Sequence, residues 1–487
     1  MSPQPTKTID SKWVRFRSAC YLNGRGISWG TANDPIVPKQ AIDHGKYSLN
    51  VDVLKAQETN LCDTNLDIIA NNSLDHIFVG ARENPPLKSM VSKLKLGGHC
   101  VIHAVPGDPT IIRDYLKDMG KWQEKDTYVR DGQFLGIWKL LNRSENGVLP
   151  PKPKAAKRAC IARYGAIGDM IMISPLIRKL AEDGYEVTMN ITPYCAEVLK
   201  HNPYVSNVVL QERDMIPNPD LGGYWQEWIP DYDKYINLSE SIEGKLLKVE
   251  GRRDFYTTKE WRSQTCNDNY YDNTMRLGGY PDVVGTRGEL YFSNSEQKEA
   301  KFVRNKYKDN FLIVWALKGS SHHKVYPLLA PVLSEWLETK PDVRVVLVGS
   351  PDDQKYQFDH PQVNCAAGRL GLRDVFCLSQ YADLVVGPES AIINAASCFD
   401  VPKITFLTHS SHDNLCKYWV NDYCLPAESV CSPCHQLHYS LESCPLTSLE
   451  HQETGDKVGT FPICATSGIT PDRLKARLNE VYNRYKA

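Results

Sequence analysis

Long hydrophobic runs are missing from this chain: no apolar stretch approaches the ~20 residues that cross a bilayer, so no transmembrane helix is expected. Residues 1–13 are polar and lack the apolar segment of a signal peptide, which places the expectation in the cytoplasm. An excess of charge of either sign is also missing. With 57 basic and 58 acidic residues the formal net charge is −1, which argues against a dedicated electrostatic grip on nucleic acid while leaving a local basic patch open. No repeat at a period of ~20–50 residues is present. Cysteine is not scarce: fifteen are scattered, several in core-like runs (Cys100, Cys160, Cys377, Cys398). They read as reduced, buried thiols rather than a disulfide framework. The sequons at Asn71, Asn142 and Asn237 then carry no glycan.

A length of 487 residues calls for two to four domains. Three segments follow from composition. Residues 1–145 form an α/β domain and 146–158 a linker, proline- and lysine-rich from Leu149 to Arg158. Residues 159–295 form a first Rossmann-like domain, with strands at Ala159–Ala162, Glu186–Ile191 and Val205–Leu210. A short helix is expected over Ala196–Pro203, and Gly222–Tyr235 reads as an aromatic loop. Residues 296–487 form a second such domain. Its runs Phe311–Ala316 and Val343–Gly349 are nearly continuous in apolar residues, as parallel strands buried on both faces are. A helix over Pro327–Leu337 separates them, and Thr470–Arg484 is an amphipathic helix with Thr470 at its cap.

Two strand–turn–helix elements carry the chemistry. The first runs Arg163-Tyr-Gly-Ala-Ile-Gly-Asp169 through Pro175, with Asp169 where the helix begins. The second runs Val386-Gly-Pro-Glu389-Ser390-Ala391 through Pro402, followed by the strand Lys403–Leu407. Such turns face the crevice beyond the carboxyl ends of parallel strands, where open α/β sheets bind ligands. Together they resemble the heptosyltransferase-like glycosyltransferases (family 9), whose pattern R-x-G-x-x-G-D-x-x-x-x-x-P and second V-G-x-D-[ST]-G-x-x-H-x-A-A-A-x-x-x-P frame a nucleotide-sugar cleft. The resemblance covers about residues 157–487. It implies an α/β fold of GT-B type, two Rossmann-like domains with parallel sheets, the donor in the later half and the acceptor in the earlier.

Sugar transfer needs a base for the attacking hydroxyl and cations or donors for the departing diphosphate. By resemblance Asp169 is the catalytic base of an inverting transfer; as a residue it would also serve as a plain helix cap. Lys324 in Lys324-Val-Tyr-Pro327 matches the lysine that the family places on the donor phosphates, with Ser320 and Ser321 adding hydroxyls and Lys318 a second cation. Ser390 and the amides of Ala391 and Ile392 suit phosphate, Glu389 suits ribose hydroxyls, and Gly349, Ser350 and Gly368 are candidate nucleobase contacts. Asn394 replaces the family's histidine, which puts the family's usual ADP-heptose donor in question. Gly168 and the aromatics Trp225 and Trp228 are the acceptor-side candidates; the tryptophans either stack on substrate or pin their own loop. No Asp-x-Asp pair stands at a strand end, so the transfer site is expected to work without a divalent metal. The expected donor is a nucleoside-diphosphate sugar, UDP- or ADP-linked.

Cys431, Cys434, Cys444 and Cys464 have the look of a four-thiolate zinc site, structural if occupied; buried thiols without metal are the alternative. In the first segment, the run leading to Leu94-Lys-Leu-Gly-Gly-His-Cys-Val-Ile-His-Ala104 reads as strand, helix over Pro86–Leu96, Gly97-Gly98 turn and strand. It resembles class I S-adenosylmethionine methyltransferases. Ser28 stands where that family has an acidic residue and Trp29 in its glycine turn, so cofactor binding is expected to be lost, with Asp43 or Asp52 as substitute carboxylates. The expected acceptor is a lipopolysaccharide or other glycan, or a hydroxymethylated base in phage DNA held by Lys152–Arg158 and the tryptophans; the location is then bacterial or phage-infected host cytoplasm. A working methyltransferase and a sugar-nucleotide sensor are the rivals.

Overall fold

The structure, a computed structural model, describes residues 25–29, 47–50, 74–79, 94–104, 113, 116, 117, 119, 121–130, 133–142, 157–211, 216, 218–439, 444, 446–452 and 457–486. The chain divides into two compact units, Met1–Ala156 with Val209–Met215, and Lys157–Val208 with Ile216–Ala487.

The first unit holds a six-stranded sheet in the order 47–50, 25–29, 74–79, 94–104, 133–142, 121–130. The first four strands are parallel and the last two close the sheet as an antiparallel hairpin. Ile77, Cys100, Val101, Leu135, Ile137 and Trp138 are buried in it. Two expectations are corrected here. Leu94–Leu96 do not end a helix and Gly97-Gly98 do not make a turn: Leu94–Ala104 is one strand. The two glycines lie where its register against Leu74–Val79 slips, between the Leu74↔Leu94 and His76↔His99 pairs, so they absorb a bulge. Ser28 and Trp29 likewise lie inside the strand Arg25–Trp29, paired with Phe78 and Val79. Asp43, Asp52, residues 86–93 of the expected helix and linker residues 146–156 lie outside the described residues.

Strands from Lys157 onward form two two-stranded ribbons, Lys248–Val249 with Gln436–Leu437 and Thr447–Gln452 with Lys457–Pro462, and two larger sheets. In the first, the spatial order is Lys234–Asn237, Lys157–Arg163, Tyr185–Ile191, Val205–Leu210. The strand Lys234–Asn237 and the helix Leu221–Trp228 both arise from the stretch expected to be a loop. Four residues with one deeply buried side chain, Ile236, leave no periodic signal. The expected helix from Ala196 stops at Leu199, and His201 then takes φ 65°. In the second sheet, all strands are parallel, in the order Val363–Cys365, Val343–Val348, Phe311–Ala316, Leu384–Pro388, Lys403–Leu407, Leu425–Pro426. Phe311–Ala316 is buried throughout, which is why its sequence is an unbroken apolar run. The helices Leu329–Glu338 and Pro471–Tyr485 pack on this sheet's core, joined by the Trp336 indole donating to Asn479 Oδ1 at 2.9 Å. Thr470 caps the last helix by accepting from the Arg473 amide.

Both sheets reverse their winding at one place. In the first, the reversal lies between Lys157–Arg163 and Lys234–Asn237; in the second, between Phe311–Ala316 and Leu384–Pro388. A crevice opens at such a switch point because the two connections leave in opposite directions. The loops after these four strands carry Asp169, Glu243, Lys324 and Glu389.

Candidate active site

Arg163 ends the first strand and is fully buried. Its Nη2 lies 2.8 Å from Asp169 Oδ2, and Nη1 donates to Glu243 Oε2 and to the Leu238 carbonyl, each at 3.0 Å. The turn must let this guanidinium pass: a Cβ on Gly165 would sit 2.4 Å from Arg163 Cζ. Asp169 Oδ2 also accepts from the Ala166 amide at 2.9 Å, so the cap role and the cleft role coexist in one carboxylate. Burial pushes the Asp169 carboxyl up; Arg163 pulls it down, Glu243 pushes it again, and the Ala166 amide and Lys324 oppose. The net is a carboxyl above its ordinary value. For Glu243, burial is outweighed by Arg163, and it lies below its ordinary value. One buried arginine thus separates a stronger base from a firmly ionised carboxylate.

The loop after Phe311–Ala316 folds back on itself through the Lys318↔Val325 bridge, with the Gly319 amide donating to the Lys324 carbonyl at 2.9 Å. Gly319 is tightly enclosed: a Cβ there would meet the Glu389 carbonyl and Lys324 Cδ, both at 2.6 Å. Lys324 is buried, and burial lowers its pKa, opposed by the charges of Glu389 and Asp169. Among the described residues no carboxylate reaches within 4 Å of its ammonium. Asp169 and Lys324 therefore share one electrostatic site, and the lysine has spare capacity for an anion. Ser320 is exposed at the tip of the loop, while Ser321 is buried against the His323 ring.

Glu389 is turned inward. Its Oε1 accepts from the amides of Thr408 and Ser410 at 3.1 and 3.3 Å, and Oε2 from the Ser410 hydroxyl at 2.7 Å. Burial would raise its pKa, but His409, Lys324 and Ser410 hold it down to about 2. His409 Nδ1 is 3.0 Å from Oε2, yet burial keeps this imidazole below its own ordinary value. Glu389, expected on ribose hydroxyls, instead has both of its oxygens on the 408–410 turn. Ser390 caps the helix Ala391–Ser397, accepting from the Ile393 amide at 3.5 Å, and Ala391 opens that helix. Gly349 follows the strand Val343–Val348 and lies beside Asp353, which accepts from the Ser350 amide and hydroxyl.

On the acceptor side, Gly168 is buried, and its Cβ would come 2.5 Å from Asn394 Nδ2. This contact joins the two strand–turn–helix motifs directly. Trp225 donates from its indole to the Tyr164 hydroxyl at 3.2 Å, with the rings 5.9 Å apart. Trp228 is corrected: it is 1 % exposed, stacked on Tyr232 and edge-on to Tyr224, so it pins its own segment and has no face for a substrate.

Of the four cysteines, Cys434 and Cys464 are buried and Cys431 and Cys444 half-buried. Burial raises the Cys464 thiol, but among the described residues no three of these four sulfurs lie within 4.8 Å of one another, so the expected four-thiolate site is not assembled. Sequence reasoning missed Glu243, Tyr270, His409 and Ser410. Tyr270 is buried where it feels Glu389, Asp169 and Glu243. None of the four lies in a motif, and no local signal marks them.

No family model matches the chain, and no curated protein matches it. Among solved structures it is similar to ADP-heptose lipopolysaccharide heptosyltransferase II of E. coli, at 16% identity over 68% of this chain and 100% of that one, TM-score 0.46. It is also similar to a family 9 glycosyl transferase from Veillonella parvula, at 14% identity over 69% and 100% of the two chains, TM-score 0.47. A third is the iron-containing dodecameric glycosyltransferase TibC of enterotoxigenic E. coli, at 12% identity over 74% and 86%, TM-score 0.42.

Proposed function

We propose that the unit from Lys157 onward transfers a glycosyl group from a nucleoside-diphosphate sugar to an acceptor hydroxyl, with inversion. The observation that carries this reading is the mutual electrostatic reach of Asp169 and Lys324 across two turns at two switch points. The acceptor oxygen attacks the anomeric carbon and its proton passes to Asp169. The bond from that carbon to the β-phosphate oxygen breaks, and the nucleoside diphosphate leaves with the electron pair. A carboxyl raised above its ordinary value is the stronger proton acceptor. Lys324 offsets the charge that develops on the departing diphosphate, with Ser320, Ser390 and the Ala391 amide in supporting positions and Gly349 toward the nucleobase. Gly168 and Trp225 border the acceptor.

A glycan hydroxyl is the acceptor class we favour over a base in DNA. Support comes from Trp228, which has no free face, and from Arg158, which lies 4.9 Å over the Tyr232 ring with its amide on Asp233. We read the first unit as a scaffold without S-adenosylmethionine, because Ser28 and Trp29 are strand residues.

The test is transfer from a panel of labelled UDP- and ADP-sugars. Asp169→Asn should lower the rate about 100-fold or more with donor affinity kept, as loss of a general base does; Lys324→Ala should weaken donor binding. Undiminished turnover in Asp169→Asn would refute the reading. Binding to duplex DNA that weakens steeply with salt would move the acceptor to DNA.

A further inference from the structure

We propose that His412, Asp422 and Cys424 form a zinc-binding site with one coordination position open to solvent. An imidazole nitrogen, a carboxylate oxygen and a thiol sulfur from these residues all lie within 4.8 Å of one another. Nitrogen, oxygen and sulfur donors in one set suit zinc, and three protein ligands leave its fourth position for water. The site stands apart in sequence from Cys431, Cys434, Cys444 and Cys464, and it does not depend on the transfer reading.

The carboxylate supplies the second observation. Asp422 Oδ1 accepts from the Thr405 hydroxyl at 3.2 Å, whereas Oδ2 is sealed from solvent with no hydrogen-bond partner. A buried carboxylate oxygen left so is costly unless a cation or donor comes to it. Lys403, fully buried nearby, attracts this carboxylate through space but is not bonded to it. Its ammonium donates to the carbonyls of Val420 at 2.6 Å and Phe399 at 3.3 Å, and among the described residues no carboxylate lies within 4 Å of it. With zinc, one carboxylate and one thiolate give a neutral centre, so the buried ammonium does not oppose the ion.

The three positions are fixed by backbone. His412 opens a π-helical turn, His412–Cys416, held by Ser411, whose hydroxyl accepts from the Asn414 amide at 3.1 Å. Single π-turns of this kind cluster at functional sites. Asn421 takes φ 52° just before Asp422, which is itself bridged to Lys403, and Cys424 immediately precedes the edge strand Leu425–Pro426. The His412 side chain is 51 % exposed, so an ion enters from solvent on that side.

The experiment uses the full chain, stripped with a chelator and titrated calorimetrically with zinc alone. His412→Ala and Cys424→Ser should each bind one tight equivalent fewer than the parent, or bind it about 100-fold more weakly, the upper end of what loss of even an outer-shell partner costs. His412→Ala alters a half-exposed side chain and keeps the fold, which thermal unfolding without metal verifies. Cobalt gives a second readout, a thiolate charge-transfer band that weakens in Cys424→Ser. Unchanged zinc stoichiometry and affinity in both variants would overturn the proposal, as would a parent that takes up no zinc.

Discussion

Replacing Arg163 by methionine removes the cation that two carboxylates share and leaves a side chain of similar length in its place. Asp169 and Glu243 are only 16 % and 22 % exposed, so neither can turn wholly to water. Breaking a buried ion pair by removing one partner costs about 3–5 kcal/mol, because an uncompensated charge stays behind. For a unit of this size that is a fall in Tm of about 5 °C. The pH dependence discriminates further. In the native chain Glu243 lies below its ordinary value, so its contribution is present above the unfolded carboxylate range and is lost as pH falls through its folded value. Without Arg163, burial and mutual repulsion raise both carboxyls above their unfolded values. Their ionisation then destabilises the fold: the penalty is small below about pH 4 and grows as pH rises through the raised values. Thermal unfolding of parent and variant at about pH 5 and about pH 8 should therefore diverge most at the higher pH. In the same variant the acid limb of kcat/KM should move to higher pH, because Asp169 keeps its proton longer. An equal penalty at both pH values, or one below about 1 kcal/mol, would refute the idea that this triad is electrostatically coupled.

Gly168→Ala forces a Cβ to 2.5 Å from Asn394 Nδ2. It should destabilise by about 1–3 kcal/mol, and Asn394→Ala in the same chain should relieve it, read as coupling in a double-mutant cycle of denaturation midpoints. Trp228→Ala should cost about 3–5 kcal/mol, whereas Trp225→Ala, on the half-buried side, should chiefly raise KM for the acceptor. Glu389→Gln removes a carboxylate held at about 2. The parent should lose the corresponding stability as pH falls from about 4.5 to about 2, and the variant should not show that step.

The chain's local signals determined the fully buried strands and the two ligand-facing turns. Phe311–Ala316 and Val343–Val348 announce themselves because a strand buried on both faces has no polar side to show. The turns at Asp169 and Glu389 are legible because glycine, an N-terminal cap and an apolar helix must follow one another within a few residues. The strand Lys234–Asn237 was not legible, being four residues without alternation, and its placement beside Lys157–Arg163 comes from long-range pairing. Tertiary structure alone decided which polar groups meet. Glu243, Tyr270 and the adjacent His409 and Ser410 come from three separate stretches with no motif, and two of these are loops that parallel strands deliver to one edge of each sheet. Direction was decided there too. Glu389 and Trp228 have the right chemistry for a ligand, but one is bonded to its neighbouring turn and the other is packed among aromatics. Residue type and spacing specify what a side chain can do, and packing specifies what it faces.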